Sequence, residues 1–100
     1  MSRAADIDAA LIAYLGYKRA DRPQADWRAV VEAIGLERAE AAEIPMLGVL
    51  ADLRAIEPDW ASHSLWSGSE WAVRELRKRH PEIGDGAVKA LVWAFSCDQQ

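Results

Sequence analysis

From Asp6 to Arg19 the apolar positions are Ile7, Ala10, Leu11, Tyr14 and Leu15, a spacing that lays a single stripe along one side of an α-helix. Asp6 and Asp8 at its start and Lys18 and Arg19 at its end suit the helix macrodipole. A second helix is predicted over 22–34. Asp21 acts as its cap, Pro23 stands in the first turn, Gln24 reaches back, and Trp27, Val30, Val31 and Ile34 form the buried stripe before Gly35 stops it. Residues 36–57 have helical composition but contain Pro45, which lacks the N–H that the helical ladder needs and clashes with the preceding turn. The pattern therefore predicts a short helix, a break or kink, and then a helix carrying Met46, Val49, Leu50, Leu53 and Ile56, broad enough in its apolar face to be the most enclosed of all.

Pro58 ends that segment. Residues 58–66 follow neither period, yet Trp60, Leu65 and Trp66 are too apolar for a free linker, so an ordered, tryptophan-rich loop folded onto the core is expected. Ser67-Gly68-Ser69-Glu70 has the spacing of a capping box, with Trp66 and Trp71 placed as a hydrophobic staple. A fourth helix should start at residue 68 and bury Ala72, Val73 and Leu76 before the basic turn Arg77-Lys78-Arg79-His80 and Pro81. The last helix is predicted to start near Asp85 and to bury Val88, Leu91, Val92 and Phe95, with Trp93 off the stripe. The fold class is all-α: a compact bundle of about five short helices, with residues 1–100 forming one domain.

Composition sharpens this picture. Alanine, leucine, arginine and glutamate dominate and threonine is absent, so helix formers are plentiful and β-branched strand formers few. With 51% hydrophobic and 28% charged residues in a chain of 100, there is enough apolar surface to drive folding of one domain and too little length for two cores. The net charge of -4 gives no general attraction to phosphate backbones or anionic membranes. A single cysteine, Cys97, permits no internal disulfide and fits a reducing compartment. Met1 to Asp6 lacks the apolar run of a signal peptide, and no stretch of about 18 apolar residues is present. A cytoplasmic protein without membrane spans is expected.

Five tryptophans are the clearest excess. An indole offers much contact area for few frozen torsions and an N–H that orients it, which is why tryptophan is concentrated at binding hot spots. Trp27 and Trp71 fall on core stripes, whereas Trp60, Trp66 and Trp93 lie in the loop, at the staple and off the stripe, and are the candidate partner contacts. Residues 32–59 carry seven acids against the two bases Arg38 and Arg54, so Glu37, Glu40, Glu43 and Asp59 are candidate contacts for a basic partner. Glu37, Glu40 and Glu43 share a helix face, but no loop of hard oxygen ligands accompanies them. No metal or cofactor is expected.

Catalytic signatures are weak. Asp59, Ser62, His63 and Ser64 hold the members of a hydrolytic triad, but no nucleophile-elbow glycine pattern surrounds the serines. His80 suits a helix C-terminus, the glycines form no phosphate cradle, and Cys97 reads as a small buried apolar group. Arg74, Arg77, Lys78 and Arg79 form the one basic run. They define an alternative, a small DNA-binding regulator, although their charges gather at the wrong end of the helix for groove reading. A third reading is a small-molecule-binding bundle with a tryptophan-lined internal pocket.

No motif is specific enough to name a family. In gross character, helical, acidic and tryptophan-rich, the chain resembles small bacterial toxin-neutralising immunity proteins and phage-encoded inhibitors. The leading expectation is accordingly a non-enzymatic protein-binding module that neutralises a basic partner, with self-association as a further possibility for so dipolar a chain.

Overall fold

Helix α1, Arg3–Leu15, is the strut against which α2 (Trp27–Ile34), α3 (Leu36–Arg54) and α5 (Asp85–Asp98) all pack, while α4 (Leu65–Arg79) closes the bundle against α5 and α3. The computed structural model describes residues 3–99; Met1 and Ser2, where the reading of the N-terminus against a signal peptide begins, lie outside them. Its Cα radius of gyration is 13.1 Å, close to the roughly 13 Å of a compact chain of this length. The all-helical bundle expected from the pattern is therefore the fold, and one connected core joins all five helices through Leu11, Val30, Met46, Leu76 and Leu91.

The first helix stops earlier than its charge pattern predicts. Gly16 takes a φ of 74°, and its N–H bonds to Ala13 O at 3.2 Å while the Tyr17 N–H reaches Ile12 O at 3.2 Å. This is a Schellman stop, which needs a left-handed residue and so favours glycine. Lys18 and Arg19 consequently lie outside α1, and the Arg19 guanidinium folds back to donate to Ala13 O at 3.0 Å. The second helix is likewise shorter than expected, with Asp26 rather than Asp21 as its cap, accepting from the Ala29 N–H at 3.1 Å. The reason is competition for donors. The N–H groups of Gln24 and Asp26 bond to Leu15 O and Tyr14 O at 2.9 and 3.0 Å, so the orphan carbonyls of α1 hold residues 23–26 in a return segment instead of a helical turn.

Pro45 does not break α3, which runs unbroken for 19 residues. A proline inside a helix costs about 3 kcal/mol, but Ala39, Ala42, Met46, Val49 and Leu53 bury one continuous side of this helix across the proline. That burial offsets the lost bond. The most enclosed helix is α5, not α3. It buries Ala87, Ala90, Leu91, Val92, Ala94, Phe95 and Ser96, whereas α3 leaves Leu36, Ile44 and Leu47 exposed because no element covers its outer side.

The loop before α4 is folded onto the core as expected, with Pro58 buried and Trp60 packed against the cluster. Leu65 and Trp66, however, belong to the helix. Ser64 is the cap: its Oγ accepts from the Ser67 N–H at 3.1 Å, and Ser67 Oγ accepts from the Ser64 N–H at 3.0 Å. That reciprocal pair starts α4 three residues before the predicted position and leaves Glu70 in solvent. Since Trp66 and Trp71 both lie inside the helix, no staple joins them across its start.

Two carboxylates on α1 face opposite electrostatic situations. Asp6 accepts from Arg38 on α3 (Nε to Oδ1, 3.1 Å), and this bond holds its pKa below the ordinary 3.8. Burial pushes Asp8 above 3.8, although its Oδ2 accepts from the Gly84 N–H at 2.9 Å; its Oδ1 is buried without a hydrogen bond. The signs of linkage follow. The lowered Asp6 contributes stability that is present above 3.8 and is lost as pH falls through its folded pKa. The raised Asp8 favours the folded state most below 3.8, and that contribution is lost as pH rises through its folded pKa. A side-chain carboxyl NMR titration of the native protein should show Asp8 inflecting above 3.8 and Asp6 below it; the reverse order would contradict this arrangement.

Candidate protein-docking surface

The first turn of α4 presents its apolar side chains to water. Trp66 is 57% exposed and Leu65 is 37% exposed; Gly68, Ser69 and Ala72, which follow Leu65 along the same side of the helix, are buried. Ser64 and Ser67 fix where that turn begins, and the Ser69 hydroxyl stays inside by donating to Leu65 O at 2.7 Å. Behind the turn lies Trp60, whose ring stacks near Phe95 with centroids 6.4 Å apart and occupies the space that a side chain at position 68 would need. Trp60, Leu65 and Gln99 line a shallow hollow there. Asp59, next in the chain, is exposed and accepts from the Ala61 N–H at 3.1 Å and from Ser62 Oγ at 3.0 Å, which ties the loop into a tight turn.

The other sequence-derived candidates are distributed over the molecule. Trp93 is half-buried and packs on Tyr17, with ring centroids 5.6 Å apart, so it faces the turn after α1 and not the start of α4. Trp27 and Trp71 pack against the core, the latter with its ring 5.9 Å from that of His63. Glu37, Glu40 and Glu43 are all exposed on the first half of α3. The structure thus sets Trp60 beside Leu65 and Gly68, with Asp59 next to it in the chain, leaves Trp66 exposed one position on from Leu65, and places Trp93 and the three glutamates elsewhere.

The residues that resemble a triad do not assemble into one. Asp59 holds Ser62, while His63 Nδ1 lies 3.2 Å from Ser67 Oγ. His80 closes α4 with its N–H on Leu76 O and sets its Nε2 2.7 Å from Asp52 Oδ2, tying the end of α4 to α3. Half of the basic run is compensated: Lys78 pairs with Glu75 at 2.9 Å and Arg77 lies 3.8 Å from Asp85, while Arg74 and Arg79 are exposed. Arg74 and Arg79 are the two cations of the run without an ion pair among the described residues. Among the described residues, no three of His, Cys, Asp and Glu cluster in a way that would hold a metal ion, and no helix is long and apolar enough to cross a membrane. Cys97 is half-buried on α5.

Sequence reasoning missed a second apolar surface. Ile44 is 81% exposed and Leu47 42% exposed on α3, and Leu47 borders an open groove of about 300 Å³ lined also by Tyr14, Pro23, Leu50 and Phe95. That groove carries no tryptophan, unlike the internal pocket that a small-molecule reading anticipates. The signal was present in the spacing. Ile44 and Leu47 fall outside the 39, 42, 46, 49, 53 stripe that the structure buries, and become visible only when residues 36–54 are read as one uninterrupted helix.

The described residues define the class, an all-α bundle of five helices that exposes aromatic and aliphatic side chains at one helix start. No protein-family model, curated protein or solved structure matches the chain.

Proposed function

We propose that this chain is a non-enzymatic protein-binding domain of the cytoplasm that docks a basic partner at the start of α4, in the manner of an inhibitor or immunity-type protein. The observation that carries the reading is Trp66, 57% exposed beside Leu65 on a rigid, capped helical turn. A large indole left in water and held on a fixed scaffold loses little entropy on binding, and it gains most of its burial energy only when a partner covers it. Trp60 and Leu65 supply the adjoining apolar rim, and Asp59 and Glu70 are exposed beside it in the chain. Glu37, Glu40 and Glu43 act at longer range: with a net charge of -4 they add to a field that speeds encounter with a positive surface without touching the aromatic patch.

The test is retention of proteins from source-cell extract on the immobilised chain, at low and at raised salt, with wild type compared against Trp66→Ala. One reproducible basic protein is expected, released as salt increases, and bound about tenfold or more weakly by Trp66→Ala. The substitution is at an exposed site, so stability should change by no more than about 0.5 kcal/mol, which separates lost contact from lost fold. Undiminished retention by a Trp66→Ala, Leu65→Ala double variant would remove this surface from consideration, and the absence of any reproducible partner at low salt would remove the function.

A further inference from the structure

The outer side of α3 carries a seam with no counterpart inside the bundle. Ala41, Ile44, Gly48 and Ala51, continued by the C-cap Ala55, recur at alternating steps of three and four residues, and all are exposed. This is the spacing of a helix that packs along its length against another helix. Ile44, 81% exposed, is its largest member, and Leu47 flanks it.

Gly48 gives a second, independent indication. A glycine in an exposed helix interior costs about 1 kcal/mol relative to alanine, yet a Cβ at position 48 would meet nothing within 4 Å. Packing within the chain therefore does not account for glycine here, whereas a second helix pressed close against this point does. Small residues at 48 and 51 beside a protruding Ile44 make a surface that is complementary to itself.

Charge selects the orientation. Glu40, Leu47 and Arg54 flank the seam at intervals of seven, and neither Glu40 nor Arg54 has an ion-pair partner among the described residues. A second α3 laid antiparallel about Leu47 sets each Glu40 opposite the other copy's Arg54 and brings Ile44 over the small residues 48 and 51. A parallel pair would face Glu37, Glu40 and Glu43 with their own copies, which is repulsive. The antiparallel contact is isologous, with the same patch on both sides, and it closes with two-fold symmetry.

We infer that the protein forms a two-fold dimer through antiparallel α3 helices, the occupant of this face being a second copy of the chain. The inference does not rest on partner docking at α4, which uses a different surface.

Sedimentation velocity on the full chain, from micromolar to millimolar concentration, should show a monomer converting to a dimer. Gly48→Leu should keep the helical spectrum and cooperative melting, because its position is open in the monomer, while weakening dimerisation about tenfold or more. Glu40→Arg and Arg54→Glu should each weaken it, and the two together should restore it. In a Cys97→Ser background, Glu40→Cys should form disulfides with Arg54→Cys in a mixed sample, and neither should link efficiently with itself. A monomer at every concentration, a dimer indifferent to Gly48→Leu, or like-with-like crosslinks would each overturn the proposal, as would a different protein capturing the Ile44 face of a chain that remains monomeric.

Discussion

Replacing Leu11 with alanine is expected to lower the free energy of unfolding by about 2 to 5 kcal/mol, one of the largest effects expected of a single side chain in this protein. Leu11 has no exposed surface and sits on α1, the helix that touches α2, α3 and α5. The void left by its side chain would be bordered by several helices at once, which limits how far any one of them can relax into it. A domain of this size is stable by only about 5 to 15 kcal/mol, so the variant should melt at least about 8 °C lower, at about 4 to 8 °C for each kcal/mol. Thermal or urea unfolding followed by helical circular dichroism measures it directly. A loss below about 1 kcal/mol would mean that α1 is not the centre of the packing.

The second large effect concerns a residue with no side chain. Gly68 lies under the Trp60 ring: a Cβ there would stand 3.0 Å from Cη2 and 3.1 Å from Cε3, with Cζ3 closer still. Gly68→Ala must displace a ring that also stacks near Phe95, and overpacking of this kind costs about 1 to 3 kcal/mol. This is opposite to the gain of about 1 kcal/mol that the same substitution gives in an open helix. The decisive comparison is a double-mutant cycle. In a Trp60→Ala background the clash is gone, so Gly68→Ala should become neutral or stabilising, and the coupling between the two positions should exceed about 1 kcal/mol. If the cost of Gly68→Ala were the same with and without Trp60, the loop would not rest on α4 in the way described.

These two cases show how unevenly the structure was legible beforehand. Leu11 stands in a clean helical period, and its burial was readable from spacing alone. The contact between Trp60 and Gly68 joins a loop without period to a helix start that the capping-box spacing misplaced, so no local pattern contained it. The candidate surface was half visible for similar reasons. An excess of tryptophan and an irregular loop singled out Trp60 and Trp66, but which of the candidates stays uncovered depends on what packs behind each. Trp93 is turned onto Tyr17, and that partner comes from the turn after α1. Ile44 and Leu47 were hidden by the assumption that Pro45 divides the helix.

What the amino-acid order determined by itself is what arises within a few residues: helix-forming composition, the amphipathic stripes, and a start of the last helix near Asp85. Each depends on interactions between neighbours three or four positions apart, which repeat along the chain and need no knowledge of the rest of the fold. Tertiary structure decided where donors and acceptors were shared between distant segments. The α1 carbonyls of Tyr14 and Leu15 claimed the N–H groups of Asp26 and Gln24 and shortened α2, and a buried side carried α3 through a proline. In both cases a local preference worth about 1 to 3 kcal/mol yielded to hydrogen bonds and apolar area that exist only once the helices are assembled.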